Sequence, residues 1–128
     1  MTLQVALVSP EGEIWSGAAR QIIAKTLDGD IGILSGHTPV LGVLAEGSLV
    51  RIFPEDASGE VVAAIGGGFL SVADDQVSVL ARQALLARDV DRASAQAALD
   101  TAQSGAGGEE TPEIRFLRAQ LRAAGDRA

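Results

Sequence analysis

The sequence has no cysteine and no tyrosine, and its aromatic residues are three phenylalanines and one tryptophan. Without cysteine there is neither a disulfide framework nor a thiolate metal site, which fits a reducing compartment. Histidine is nearly absent too. His37 stands alone, and the nearest carboxylate before it, Asp30, is seven residues back, so motif spacing assembles neither a metal cluster nor a nucleophilic triad. No window approaches the roughly 18 to 20 apolar residues that span a bilayer, and no basic segment followed by an apolar run opens the chain. The expectation is a soluble chain with no direct membrane insertion and no secretory leader. Positive charge is scarce as well: 10 Lys and Arg against 17 Asp and Glu leave a net charge of −7. That balance argues against a sequence-independent grip on nucleic acid or anionic lipid.

What is abundant is aliphatic. Hydrophobic residues make up 47% of the chain, so a core must be built from Val, Ile, Leu and Ala. Charge then divides the molecule. The acidic excess lies entirely before Arg82, while seven basic and seven acidic residues balance from Arg82 onward. With the change from β-branched residues to alanine, this marks a boundary near residues 81 to 88, giving units 1–84 and 85–128.

In the first unit, Leu3, Val5 and Leu7 alternate with smaller or polar residues, the period of a half-buried strand. Similar short runs follow at 13–15, 21–26, 40–44, 49–53, 61–65, 69–72 and 76–80, separated by turn-forming stretches such as Ala45–Ser48 and Pro54–Gly59. About ten strands at this spacing predict a mainly β fold, an antiparallel β-sandwich or flattened barrel. Leu3, Val5, Ile22, Ile33, Val50, Ile52, Val77 and Val79 are its expected interior. The second unit is helical. Asp89 or Asp91 can cap a helix through Arg92–Leu99 that Gly105, Gly107 and Gly108 stop, and Thr111-Pro112-Glu113 starts a second helix running to Gly125. A mobile C-terminal two-helix hairpin is the inference, since helices this short depend on what they dock against.

The stretch organising the first unit is Gly29–Leu41, GDIGILSGHTPVL, which reads as strand, corner, strand. His37 at its corner is a structural or interface residue, an exposed one, or, with Asp28 or Asp30, a catalytic base lacking a nucleophile. Gly66, Gly67 and Gly68 lack the Gly-Lys-Ser/Thr ending of a phosphate loop and read as close sheet packing at a strand end.

Gly29, Gly32, Ile33, Leu34, His37 and Pro39 resemble a signature of the epsilon subunit of bacterial F-type rotary ATP synthases. Two more stretches resemble the same family: Val8, Pro10, Glu11, Gly12 and Gly17, and Gly67-Gly68-Phe69 with Val72, Val77, Val79, Leu80 and Ala81. The resemblance implies a non-catalytic subunit of the central stalk, with the γ subunit and the c-ring as partners and no cofactor. It implies a position peripheral on the cytoplasmic face of the bacterial plasma membrane. Asp30 and Ile31 would face the c-ring, with Ser35, Gly36, His37 and Thr38 in the same partner interface and His37 toward γ. The helical hairpin would reach the catalytic α/β head and restrain ATP hydrolysis.

Arg115, Arg118 and Arg122 form one stripe of the second helix, beside Ile114, Leu117 and Leu121. The arginines read as a solvated face, as a docking face for an acidic partner, or as phosphate ligands. Some bacterial members bind ATP through Ile/Leu-Asp-x-x-Arg-Ala; Asp89, Arg92 and Ala93 match, while Arg88 replaces the apolar first residue. The resemblance therefore admits ATP as a regulatory ligand of these residues. A stand-alone sandwich that recruits an acidic protein through its arginines is the alternative reading.

Overall fold

Alternation of inward and outward side chains builds the strands of the computed structural model, which describes residues 2–56 and 58–126, for Asp126 the backbone alone. Ala57, inside the expected 54–59 loop, and Arg127 lie outside the described residues. Among the described residues there are seven strands: β1 (Leu3–Ser9), β2 (Gly12–Thr26), β3 (Gly29–Leu34), β4 (Val40–Pro54), β5 (Val61–Ala73), β6 (Gln76–Ala81) and β7 (Ala84–Leu86). They take up the expected run of about ten, because β2, β4 and β5 each carry two of the short apolar runs. Ala45–Ser48 is therefore not a turn between strands. It is a bulge within β4, where the register against β5 slips between Glu46↔Gly66 and Ser48↔Ile65. Gly66–Gly68 likewise lies in the middle of β5 and not at a strand end.

The ladder runs β1-β6-β5-β4-β2-β3, with β7 added to β5, and β1 also pairs with β2, so the sheet closes on itself as a flattened barrel. Closure leaves the two faces packed against each other and removes most free edges. Among the described residues six of the seven pairings are antiparallel. The exception is β1 with β6, aligned in parallel from Gln4↔Gln76 to Val8↔Leu80. A parallel pair needs a long crossover, and here the rest of the barrel supplies it.

All eight expected interior residues are at most 2% exposed. They belong to one aliphatic cluster that also takes Leu7, Leu44, Ile65, Leu70 and Val72. With aromatics scarce, the core is built of Val, Ile and Leu, each worth about 1.5–3 kcal/mol when fully buried.

After β7 and one short helical turn, Ala87–Asp89, α1 spans Arg92–Ala106. Asp91 caps it, its Oδ1 accepting from the Ser94 N–H at 3.1 Å, and left-handed Gly107 ends it. Helix α2, Pro112–Leu121, begins at Thr111, whose hydroxyl accepts from the Ile114 N–H at 3.2 Å. It does not run on regularly to Gly125: residues Arg122–Asp126 form a wider π-type turn. At Gly125 the space a side chain would need is filled by the Arg92 guanidinium, 2.8 Å from a Cβ. Leu99, Ile114 and Leu117 make a small core that belongs to the hairpin alone, and α2 lies on β4 and β5.

Candidate partner-docking surface

Outward positions of a strand that covers a core are normally polar. One cross-strand row breaks that rule. Val43 on β4 faces Phe69 on β5, Phe69 faces Leu80 on β6, and Leu80 faces Val8 on β1. Leu27 joins the row through its N–H, which donates to the Val43 carbonyl at 2.9 Å. Leu27 is 71% exposed, Leu80 52% and Phe69 51%. Two residues along β4 on the same face, Leu41 is 72% exposed. Over this row runs an open groove of about 790 Å³, bounded at one end by Glu46, Arg82 and Arg115. A contiguous apolar patch rimmed by charge is the signature of a protein-binding surface.

The corner lies beside it, between β3 and β4. It is held by a residue that motif reading passed over. Asp75, in the β5–β6 turn, accepts from the Gly36 N–H at 2.7 Å and from the Ser35 hydroxyl at 2.9 Å. Those two bonds, the backbone one first, hold the Asp75 carboxyl below its usual range. Its own carbonyl accepts from the Gln4 N–H at 2.8 Å, so one residue ties β1, the corner and the turn together. Asp74 and Asp75 both have positive φ, 51° and 62°, as a two-residue hairpin turn of this hand requires. His37 is half-buried; its N–H donates to the Leu34 carbonyl at 3.1 Å and its Nδ1 lies 2.7 Å from the Thr38 carbonyl. Thr38 and Gly36 are exposed, as is Asp30, which stands opposite Lys25 across the β2–β3 ladder. Ile31 instead packs against the core. Among the described residues no cluster of His, Asp and Glu is arranged to hold a metal.

Each arginine of the stripe has a protein partner, although Arg115 and Arg122 are exposed. Arg115 reaches Glu46 at 3.6 Å, Arg118 pairs with Glu110, and Arg122 Nη2 donates to the Gly47 carbonyl at 2.6 Å. Asp89, Arg92 and Ala93 are exposed at the start of the hairpin, with Arg92 turned toward Gly125. Of the expected nucleotide site, the three stripe arginines are thus engaged by protein groups. A nucleotide at the stripe would have to displace Glu46, Glu110 and a backbone carbonyl.

A closed aliphatic barrel with an apolar outer row and a separately cored helical hairpin defines an assembly subunit. The profile of the family described as ATP synthase, Delta/Epsilon chain, beta-sandwich domain matches residues 2–87. The chain belongs to that family, whose members here are the non-catalytic epsilon chains of ATP synthase. It is 50% identical over 125 residues to the ATP synthase epsilon chain of Thermobifida fusca (strain YX), covering 95% of this chain and 91% of that one. With the epsilon chain of Rhodococcus erythropolis (strain PR4 / NBRC 100887) it shares 44% over 121 residues, 94% of each. The match to the epsilon chain of Frankia casuarinae, 49% identical, spans 86 residues, 67% of this chain but 99% of that one. The fold is shared with a chain in the Euglena gracilis mitochondrial ATP synthase, with a TM-score of 0.74, 21% identity and coverage of 94% of this chain and 78% of that one.

Proposed function

We propose that this chain is a central-stalk subunit that couples c-ring rotation to ATP synthesis, its barrel docking γ through the Leu27–Val43–Phe69–Leu80 row. The single observation that carries this reading is that row: Val43, Phe69 and Leu80 stand in register on the outside of the barrel, with Leu27 hydrogen-bonded to Val43 at its end. The corner residues Ser35, Gly36, His37 and Thr38, fixed by Asp75, present His37 toward γ, and the exposed Asp30 faces the c-ring while Ile31, packed on the core, supports it. Peripheral attachment on the cytoplasmic face of the bacterial membrane follows from those partners. No helix among the described residues is long and apolar enough to cross a membrane.

The hairpin is the regulatory arm of this reading, reaching the catalytic α/β head and restraining hydrolysis. Its independent core supports that. The working division then falls after Leu86, where β7 leaves the sheet, two residues beyond the boundary expected from composition. ATP hydrolysis by the cognate head, depleted of this subunit, tests it. Adding back the full chain should slow hydrolysis severalfold, while a chain ending at Leu86 should bind and leave the rate unchanged. Equal rates with both chains bound would remove the arm's inhibitory role, and failure of both to bind would remove the stalk assignment.

A further inference from the structure

Barrel and hairpin have separate aliphatic cores, so what joins them decides whether the hairpin stays down. Helix α2 lies on β4 and β5, and the polar contacts of the joint are concentrated at the β4 bulge. Gly47 there is left-handed, with φ of 72°. A Cβ on it would stand 2.6 Å from the Arg115 Cβ and 2.7 Å from the Arg115 carbonyl oxygen, so helix α2 sits directly on the bulge backbone. Seven residues on, two turns along the same helix face, Arg122 donates to the Gly47 carbonyl at 2.6 Å. Glu46 completes the contact, receiving Arg115 from the hairpin at 3.6 Å and Arg82 from the barrel at 2.6 Å. Apolar contact accompanies it: Ala119 and Ala123 are buried, and the Phe116 ring lies 3.4 Å from where a Cβ on Gly66 would be.

We propose that the Glu46–Gly47 bulge is the catch that holds the hairpin on the barrel, with the missing side chain at Gly47 as its seat and Arg115 and Arg122 as its two grips. The inference rests on the reading of the hairpin as a movable arm, and it is independent of γ and of the catalytic head. Bulges bend a strand and re-aim its polar groups, and this one turns a carbonyl outward to an arginine. Glu46, Arg82 and Arg115 also bound the apolar groove, so release of the catch opens one end of the docking surface. By linkage, a partner that touches Arg115 while filling the groove holds the hairpin down by the same factor that the docked hairpin improves its binding.

The chain has no cysteine, so two can be introduced at exposed positions, Ser16→Cys on the barrel and Thr101→Cys on α1, and spin-labelled in the full-length protein. Electron resonance should give one short distance distribution in the parent chain. In Gly47→Ala that distribution should be lost, because contacts below 3 Å to the α2 backbone cannot be kept, while circular dichroism of the barrel persists. Glu46→Gln combined with Arg122→Ala removes the grips without touching the bulge backbone, and should raise the long-distance fraction at least about threefold. A folded Gly47→Ala protein with the parent distance overturns the proposal. Should Gly47→Ala fail to fold, the double variant decides: a rise in the long-distance fraction supports the catch, and an unchanged distribution overturns it.

Discussion

Replacing Phe69 by lysine and Leu80 by glutamate should abolish measurable association with γ while leaving the barrel folded. The two residues are directly opposed on β5 and β6 and each is about half exposed. An opposite-charge pair at that spacing supports a sheet about as well as an apolar one, within ~0.2–1 kcal/mol, so the free protein should melt within a few degrees of the parent. At an interface the change is severe. Two large apolar side chains each contribute about 1.5–3 kcal/mol on burial, and charges brought in their place must be stripped of water. A loss of at least about 100-fold in affinity follows, since each 1.4 kcal/mol is roughly tenfold. Titration calorimetry of γ with the parent and the variant measures it, and an affinity within about threefold of the parent's would remove the row from the interface.

The second large effect is internal. Gly68→Ala should lower the thermal midpoint by roughly 15 °C or leave the chain unfolded. Gly68 has φ of 145°, and a Cβ on it would lie 2.1 Å from the Leu80 carbonyl oxygen and 2.8 Å from the Ala81 Cα. Those atoms belong to β6, bonded to β5 in that register, so neither strand can retreat without opening the ladder. Backbone strain and overpacking each cost about 1–3 kcal/mol, together near 4 kcal/mol in a fold whose whole stability is of order 5–15 kcal/mol. Gly105→Ala is the matched comparison. Gly105 lies inside α1 with nothing near its Cβ position, and alanine there should stabilise by about 0.5–1 kcal/mol. Calorimetric scans of both variants check the pair; equal midpoints would contradict the close-approach argument.

Much of the fold was legible because aliphatic alternation fixes which face of a strand is buried. Leu3, Val5, Ile22 and Val79 declared themselves by period alone, and Asp91, Thr111 and Pro112 announced the helices by chemistry specific to helix starts. Continuity of the long strands was harder to read. A bulge and a turn use the same residues, and Ala45-Glu46-Gly47-Ser48 has the composition of either; only the partner strand reveals that pairing resumes after one extra residue. The docking row was hidden for a related reason. Val8, Val43, Phe69 and Leu80 are far apart in sequence, and each looks like core until register places them side by side on the outer face. A signal was present, however. Phe69, Leu80 and Val43 sit out of phase with the inward residues Leu70, Val79 and Leu44 beside them. Asp75 gave no such sign, because its role lies in hydrogen bonds to a loop some forty residues away.

The docking row itself is tested most directly by its accessibility in the complex. With Val43→Cys as the single thiol, maleimide labelling should proceed readily in the free chain and slow at least about tenfold once γ is bound, while Ser16→Cys, elsewhere on the barrel, labels at one rate throughout. Equal labelling of Val43→Cys with γ bound would contradict the assignment of this face to the stalk.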